Sequence, residues 1–263
     1  MMLSFIAFKS KEFIFLISLY SEQSKTKRCL SQLQTIVIKN NNYIYYKLHT
    51  RFHREEKELN RILPAAVYSF GKKDWFKNGK IHRDERDENG RVLPAVIESD
   101  GYQLWNKNGK LHRDDLDENG RVLPACIWDD GPQSWWKNGK LHRDDLDENG
   151  KTLPASISIN GDLNWYKEGS LHRDDRDENG RVLPASINPD GTQEWYKKGK
   201  LHRNDRDENG RVLPATIQSD GTLYWYKNGL LHRDDLDENG RILPAAIDRE
   251  GPRWYINNER VSN

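Results

Sequence analysis

The chain has 263 residues, of which 35% are hydrophobic and 32% are charged, with a mean hydropathy of −0.97. This aliphatic-poor composition disfavours a compact globular enzyme, while nine Trp and eleven Tyr are too many aromatic residues for a disordered chain. The formal net charge of +1 produces no overall field that would indicate a nucleic-acid or membrane partner. We therefore expect a thin structure with a large surface and a small interior.

Residues 1–32 form a basic and partly apolar leader. The first 62 residues contain eleven Lys and Arg but only five Glu. The two apolar runs of the leader are each about eight residues long and are separated by Lys9, Lys11 and Glu12, whereas roughly 20 residues are needed to span a bilayer. The charge order and cleavage site of a signal peptide are not evident. We expect an amphipathic or poorly ordered leader, with membrane-surface binding through residues 1–62 as an alternative.

A 30-residue unit recurs along the rest of the chain. Leu-Pro pairs begin without a slip at residues 63, 93, 123, 153, 183, 213 and 243. Trp, His-Arg and Asn-Gly recur with the same spacing, except that the last Trp, Trp254, comes one residue early. The pattern predicts six full repeats over residues 63–242, a degenerate N-terminal copy over 33–62 and a truncated capping repeat over 243–263.

Each unit contains three turn dipeptides, as residues 121–150 and their flank illustrate. Asn119-Gly120, Asp130-Gly131 and Asn138-Gly139 tolerate positive φ and separate short segments rich in Leu, Ile, Trp and Tyr. A two-residue turn at Asp130-Gly131 pairs Ile127 with Ser134, and one at Asn138-Gly139 pairs Trp136 with Leu141. No window has the apolar 3.6-residue period of a helix.

The pattern therefore predicts an all-β fold, an elongated tandem-repeat array of β-hairpins. A meander of hairpins and a β-solenoid with three strands per coil are both compatible with the 30-residue unit. One isolated hairpin is unstable in water, so each unit depends on its neighbours.

One stretch of the repeat is similar to a known family. The consensus WYKNGKLHRDD, which reads WWKNGKLHRDD at residues 135–145, has a Gly four residues before its Trp and Leu-Pro-Ala after it. These features resemble the variant class of MORN repeats, especially tandem-repeat proteins of giant DNA viruses. The resemblance covers about 220 residues and implies an array of β-hairpins used for protein or membrane-lipid contacts, without catalysis. The insertion of LDENGRV at 116–122 lengthens the unit relative to that class.

The acidic loops are candidate calcium sites. Residues 115–120 read D-x-D-x-N-G, the first half of an EF-hand loop, and the match recurs in four later repeats. The twelfth loop position, which should be a bidentate Glu, is Cys126 after Asp115. Because Asp, Asn and Gly are also ordinary turn residues, the structural reading is favoured and no cofactor is assigned. The low-priority candidate ligands are Asp115, Asp117, Asn119, Asp145, Asp147, Asn149, Asp175, Asp177, Asn179, Asp205, Asp207, Asn209, Asp235, Asp237 and Asn239.

The repeated His-Arg pair suggests either a metal or pH-sensing column or a packing element. Zinc needs ligands within tetrahedral reach, and these histidines lie 30 residues apart without paired cysteines. We therefore expect His142 to pack beside Trp135 and Arg143 to pair with Asp144 or Asp145.

Two functional classes receive little support. A single-strand nucleic-acid binder would interleave aromatic and basic residues as this repeat does, but residues 123–152 carry six acidic against four basic side chains. Catalysis is disfavoured because the sequence contains no phosphate-binding loop, no nucleophile elbow and no Cys/His pair. The residues that break the repeat, including Trp128, Pro132 and Asn204, are scattered and indicate drift.

The favoured function is that of a non-enzymatic interaction scaffold for a protein partner. Cys29 and Cys126 make no disulfide framework, which indicates a reducing compartment. We expect a cytoplasmic protein, in the host cytoplasm if the viral resemblance holds. The candidate contact positions flank the Asp-Gly turn and vary between repeats, either because they bind a partner or because nothing constrains them. They are residues 98–99, 102–104, 128–129, 132–134, 158–160, 162–164, 188–189, 192–194, 218–219 and 222–224.

Overall fold

The computed structural model describes residues 64–68, 70–129 and 131–262, together with the backbone of five short strands that precede them. This described part of the chain contains strands, turns and bends but no helix, and so no helix in it could cross a membrane. The chain divides into two units. The first comprises residues 1–117 and 123–129, and the second comprises residues 118–122 and 130–263.

Five strands precede the full repeats. They are β1 (Ile14–Leu16), β2 (Ile36–Asn40), β3 (Tyr43–Lys47), β4 (Lys57–Glu58) and β5 (Arg61–Ile62). The leader thus contributes β1, which pairs with β2, and the degenerate copy retains the β2–β3 hairpin. The remaining residues of 1–62, including the His53-Arg54 pair, lie outside the described part of the chain.

Each full repeat contains four short strands. The first and second repeats hold β6 (Ala66–Tyr68), β7 (Lys73–Asp74), β8 (Phe76–Lys77), β9 (Lys80–Ile81), β10 (Val96–Ile97), β11 (Gln103–Leu104), β12 (Asn106–Lys107) and β13 (Lys110–Leu111). The third and fourth hold β14 (Cys126–Ile127), β15 (Gln133–Ser134), β16 (Trp136–Lys137), β17 (Lys140–Leu141), β18 (Ser156–Ile157), β19 (Leu163–Asn164), β20 (Tyr166–Lys167) and β21 (Ser170–Leu171). The fifth and sixth hold β22 (Ser186–Ile187), β23 (Gln193–Glu194), β24 (Tyr196–Lys197), β25 (Lys200–Leu201), β26 (Thr216–Ile217), β27 (Leu223–Tyr224), β28 (Tyr226–Lys227) and β29 (Leu230–Leu231).

The truncated repeat closes the chain with three strands, which are β30 (Ala246–Asp248), β31 (Gly251–Ile256) and β32 (Glu259–Val261). β31 pairs with β30 on one side and with β32 on the other. The capping repeat therefore supplies a final partner for β27 of the sixth repeat, which pairs with β30.

The strands form an antiparallel meander within each unit. In the first unit the neighbours are β1, β2, β3, β6, β7, β10, β11 and β14 in that order. In the second unit the same alternation runs from β15 through β18 and β19 to β30 and β31. A solenoid would stack equivalent strands in parallel, so the meander is the correct reading of the two predicted alternatives. The prediction of an all-β hairpin repeat is confirmed.

The Asn-Gly hairpins match the predicted register. Trp136 pairs with Leu141, as a two-residue turn at Asn138-Gly139 requires. Both turn residues have positive φ, 54° at Asn138 and 83° at Gly139, which is the signature of a type I′ turn. Glu168 and Lys198 occupy the Asn position in the fourth and fifth repeats and adopt the same left-handed φ.

The predicted register of the Asp-Gly hairpins is wrong by one residue. In the fourth repeat Ile157 pairs with Leu163, so the loop has one residue more than the predicted two-residue turn. The Gly161 amide donates to the Ser158 carbonyl, and Gly161 has φ +89°. This is a type I turn closed by a left-handed glycine, a three-residue hairpin loop that the dipeptide alone does not distinguish from a tighter turn. In the second repeat Ile97 likewise pairs with Gln103, whereas the pairing of Ile127 in the third repeat lies outside what the structure describes.

The core consists of one small and one large residue per repeat. The Ala that follows Leu-Pro is at most 1% exposed in all seven copies, and the repeated Trp is 5–7% exposed in the six full repeats. In the fourth repeat the Trp165 amide donates to the Ala185 carbonyl of the next repeat at 2.8 Å. The Trp165 indole Nε1 donates to the Thr152 carbonyl at 2.7 Å. Each indole is thus fixed between two repeats, which gives the thin interior that the composition indicates.

Candidate interaction surface

An arginine covers the buried tryptophan in every full repeat. The Arg143 guanidinium lies 3.8 Å from the centroid of the Trp135 ring, and the other five pairs lie at 3.9–4.1 Å. Arg143 also donates from its terminal nitrogen to the Pro154 carbonyl and from Nε to Asp145, the latter at 2.8 Å. Of the two carboxylates predicted as partners of Arg143, Asp145 is therefore the correct one. The guanidinium is held by stacking and by two acceptors, so it belongs to the framework.

The carboxylate that binds this arginine also joins neighbouring repeats. Asp175 accepts from Arg173 Nε at 2.8 Å and from the backbone amide of Thr152 in the preceding repeat at 3.0 Å. The equivalent carboxylate of Asp205 accepts the Val182 amide at 3.0 Å. A charge-assisted hydrogen bond to an otherwise unpaired backbone N–H gives each junction a specific polar contact.

The histidines of the first, third, fourth, fifth and sixth repeats each contact the repeat that follows. His142 Nδ1 accepts the backbone N–H of Glu168 at 3.2 Å, and His82 Nδ1 accepts that of Asn108 at 2.9 Å. On the other side of the ring, His142 Nε2 lies 2.7 Å from Asp144 Oδ2. Because Nδ1 accepts, Nε2 is the ring nitrogen that can donate to the aspartate. The His142 amide donates to the Trp135 carbonyl, while the side chain that covers the Trp135 ring is that of Arg143; packing of the His142 ring beside Trp135 stays a prediction.

The calcium candidates divide into three groups with different surroundings. The first aspartate of each loop is largely buried and bonded to the arginine two residues before it; these are Asp115, Asp145, Asp175, Asp205 and Asp235. In four loops the second aspartate accepts two amides of its own turn through Oδ1; these are Asp147, Asp177, Asp207 and Asp237. The asparagines are exposed; these are Asn119, Asn149, Asn179, Asn209 and Asn239.

These surroundings give most of the loop carboxylates a structural partner inside the protein. The remaining second aspartate, Asp117, also has interactions of its own. Among the described residues, no group of three or more His, Cys, Asp or Glu side chains is arranged to hold a metal ion. Calcium binding at these loops stays an untested prediction.

The exposed tips of the Asp-Gly hairpins contact one another in succession. In the second unit, Ser219 Oγ lies 3.1 Å from Asp190 Oδ2, and the Ser219 amide donates to Thr192 Oγ1. In the first unit, Tyr102 and Trp128 stack with ring centroids 4.3 Å apart. Within each unit, several of the residues that vary between repeats thus lie next to one another. Ser134 and Thr222 are exceptions, because both are buried and cannot be contact residues.

A second row of side chains lies beside the buried tryptophans in the second unit. We define the aromatic column as the residues that directly follow these tryptophans, namely Trp136, Tyr166, Tyr196 and Tyr226, all of which are half-buried. Burial raises the pKa of Tyr196, and its hydrogen bond to Glu194 and the nearby hydroxyls of Tyr166 and Tyr226 raise it further. The hydroxyl of Tyr196 is therefore within electrostatic range of those of Tyr166 and Tyr226.

Each column residue has a variable neighbour two positions earlier. Trp136 Nε1 donates to Ser134 Oγ at 2.7 Å, and Tyr196 Oη donates to Glu194 Oε2 at 3.0 Å. In the sixth repeat the neighbour is Tyr224, whose ring centroid is 6.3 Å from that of Tyr226. The column thus combines a regular aromatic position with a position that changes character from repeat to repeat. The sequence analysis did not predict the aromatic column. The predicted register of the Asp-Gly hairpins was wrong by one residue, and it therefore gave the column residues the wrong neighbours.

Neither a protein-family model nor a curated protein matches this chain. The resemblance to variant MORN repeats accordingly remains a prediction from the residues that carry it.

Proposed function

We propose that the chain is a non-enzymatic interaction scaffold that presents a regular surface to a protein partner. The observation that carries this proposal is the aromatic column together with its half-buried variable neighbours Asn164, Glu194 and Tyr224. Tyrosine and tryptophan are enriched at protein interfaces, where a large ring with few rotatable bonds gives contact area at a low cost in entropy. The hydrogen bonds of Trp136 and Tyr196 already hold their rings in place, so binding would order few additional groups.

The roles of the titratable groups support a non-enzymatic function. The His, Arg and Asp side chains that could act as acids, bases or oxyanion donors make the same framework contacts in successive repeats. An active site normally concentrates perturbed groups at one place where the chain departs from its pattern. A reducing, cytoplasmic location is part of the same proposal, and it rests on the sequence, whose two cysteines make no disulfide framework.

A protein partner is favoured over nucleic acid because one lysine of the Asn-Gly hairpin is neutralised locally in the second, third and fourth repeats. Lys107, Lys137 and Lys167 each pair with an aspartate of their own repeat at 2.7–3.2 Å. A surface that follows a phosphate backbone needs cations separated from carboxylates. Membrane-surface binding is the alternative function. In that case residues 1–62 would make the contact, and the aromatic column would not be needed for it.

The test is affinity capture with the whole chain from a cell extract, comparing the wild type with a column double variant. Tyr166→Asn with Tyr196→Asn copies Asn106, which occupies the same position in the second repeat. A control variant, Leu146→Arg, copies Arg176 at an exposed acidic loop. We expect at least one protein to be retained by the wild type and by the control but lost with the double variant, while thermal melting shows all three chains folded.

Retention of every captured protein by the column double variant would contradict this function. Capture that is lost only when residues 1–62 are removed would instead favour the membrane-surface or leader-mediated alternative.

A further inference from the structure

A row of side chains crosses the hairpin tips of the first unit. Lys72 Nζ lies 5.6 Å from the centroid of the Tyr68 ring and 2.7 Å from Glu98 Oε1. The Glu98 amide donates to the Tyr102 carbonyl, so these two residues lie opposite each other in the next hairpin. The Tyr102 ring in turn stacks on that of Trp128, with the centroids 4.3 Å apart and the planes at 24°. Aromatic and charged groups thus follow one another along the row.

Trp128 is covered on one face and exposed on the rest of its ring. The covering residue, Tyr102, is itself held in place, because its hydroxyl forms a hydrogen bond with the buried Cys126 thiol. Trp128 nevertheless remains 38% exposed. Since Tyr102 occupies one face, the ring surface turned away from Tyr102 is open to a ligand. A large ring that is already stacked in place loses little further entropy on binding.

The first repeat shows what the equivalent ring binds when the chain supplies the partner. Tyr68 occupies in the first repeat the position that Trp128 occupies in the third, and Lys72 occupies the position of Pro132. The Lys72 ammonium group lies over the Tyr68 ring. Proline has no charged group, so the third repeat has the larger ring without the cation at this position. An external cation would form at Trp128 the pair that the first repeat forms internally.

Carboxylates lie close to the stacked rings. Burial is the largest cause that raises the pKa of Tyr102, followed by its contact with Cys126. The charges of Glu98 and Asp100 raise this pKa further. Both carboxylates are therefore within electrostatic range of the Tyr102 hydroxyl.

A third carboxylate, that of Asp129, packs on the turn that precedes Tyr102. A Cβ atom added to Gly101 would lie 3.0 Å from Asp129 Cγ and 3.3 Å from Asp129 Oδ2. Glu98 is paired with Lys72. Among the described residues, no Lys, Arg or His forms an ion pair with Asp100 or Asp129. The stacked rings are thus accompanied by two carboxylates whose charge the described part of the chain does not neutralise.

We propose that the exposed face of Trp128 binds the guanidinium group of an arginine carried by a protein partner. We define the Trp128 site by Asp100, Tyr102, Trp128 and Asp129. Arginine is favoured over lysine, because a planar guanidinium can stack on an indole ring and donate to a carboxylate at the same time.

The framework of the chain already contains this combination of groups. Arg143 lies 3.8 Å from the centroid of the Trp135 ring and donates to Asp145. The carboxylates beside Trp128 would repel a nucleic acid or an anionic lipid surface, so a protein is the class of partner that fits. The proposal rests on the proposed function, because it names a chemical group of the protein partner, but it uses the first unit instead of the aromatic column.

The experiment is an NMR titration of the whole chain with a short acetylated peptide that contains two arginines separated by a glycine. The reporters are the Trp128 indole N–H and the Gly101 backbone amide. We expect the arginine peptide to shift both resonances. The matching citrulline peptide, which has the same shape without the charge, should shift neither.

Variants taken from the other repeats test the contribution of each group. Trp128→Ser copies Ser158 and should weaken binding about tenfold, with the Gly101 amide as the reporter. Asp129→Ser copies Ser99 and should weaken binding about threefold. The matched control is Ile159→Ser, which removes an exposed side chain from another hairpin tip and should leave binding unchanged. Because all three positions are exposed, we expect the melting temperatures to stay close to that of the wild type.

Three results would overturn the proposal. The first is equal binding of the arginine peptide by the wild type and by Trp128→Ser, and the second is the absence of any shift at millimolar peptide. The third is equally tight binding of the citrulline peptide or of a matching lysine peptide, which would show that the site does not recognise a guanidinium group.

The two proposals fail in different ways. If binding of the arginine peptide is independent of Trp128 while capture still depends on the aromatic column, only the Trp128 site is wrong. If the peptide binds as expected but capture is independent of the column, the proposed function through the column is wrong and the Trp128 site remains.

Discussion

Arg173 is a charged residue that the fold uses as part of its core. Its side chain is 7% exposed, covers the Trp165 ring at 3.9 Å and reaches both Asp175 and the Pro184 carbonyl. A planar guanidinium can stack and donate in several directions at once, whereas an ammonium group cannot. The arginine of the repeated His-Arg pair therefore has a packing role.

Arg173→Lys should reduce the free energy of unfolding by about 1–3 kcal/mol, because the buried Pro184 carbonyl and the Trp165 ring lose their partner. Urea unfolding of the whole chain measures this change. The control is Arg181→Lys, which copies Lys151 in the preceding repeat and should change the value by less than about 0.5 kcal/mol. Equal effects of the two substitutions would show that the stacking over Trp165 contributes nothing specific.

The lowered pKa of His202 predicts a local pH dependence. Burial and the neighbouring Lys197 and Lys227 disfavour its protonated form in the folded state. The pKa of His202 is thus lower in the folded state than the unfolded value of about 6.5, so His202 contributes to the free energy of unfolding above pH 6.5. This contribution is lost as the pH falls through the folded-state pKa. Asn204→Asp adds a carboxylate beside the ring and should oppose this loss.

The free energy of unfolding of Asn204→Asp, relative to that of the wild type, should therefore increase as the pH falls from about 7.5 to about 5.5, the range in which histidine titrates. Urea unfolding at the two pH values gives the difference, and contributions from the other histidines cancel in it. A difference that stays constant over this range would contradict the assigned environment of His202.

At the scale of the elements, the sequence predicts some features of the hairpins and leaves others open. Asn138-Gly139 demands a type I′ turn, so the pairing of Trp136 with Leu141 followed directly from the sequence. Asp-Gly fits both a two-residue and a three-residue loop, and a shift of one residue reverses which side chains share a face. For this reason the neighbours of the aromatic column could not be derived from the repeat alone.

Contacts between repeats were also beyond sequence reasoning. The bond from the Thr152 amide to Asp175 joins residues that are close only after the repeats pack. The acidic loop consequently looked like half of a calcium site, whereas the structure assigns its first carboxylate to a junction between repeats. What the D-x-D-x-N-G spacing could not reveal was that these oxygens already have partners in the protein.

Calcium should leave the stability of the array unchanged. Asp175 is bonded to Arg173 and to Thr152, and Asp177 Oδ1 accepts the amides of Asn179 and Arg181. An ion that binds only the folded state would raise the melting temperature by mass action. We expect melting curves in EDTA, millimolar calcium and millimolar magnesium to coincide. A rise with calcium alone, abolished by Asp177→Asn, would instead identify the loops as ligands.

At the scale of the whole molecule, the second unit is built from junctions of nearly identical chemistry. Trp165, Trp195 and Trp225 each donate their backbone amide to the alanine of the following repeat at 2.8 Å. Stability in such an array is the sum of terms within each repeat and terms between neighbours, so the length of the array is adjustable in steps of one repeat. The array can gain or lose only whole 30-residue repeats, because the tryptophan of one repeat and the alanine of the next must still meet at each junction.

Removing residues 153–182, one complete repeat, should therefore leave a folded chain. The deletion joins Thr152 directly to Leu183, which takes the place of Leu153 in the unit, and Asp205 then takes the place of Asp175. We expect near-ultraviolet circular dichroism per tryptophan to be retained and urea unfolding to stay cooperative. Removing residues 153–167, half a repeat, should abolish both signals, because tryptophan and alanine no longer meet across the junction. A chain that tolerates both deletions equally would show that register between repeats does not specify the fold.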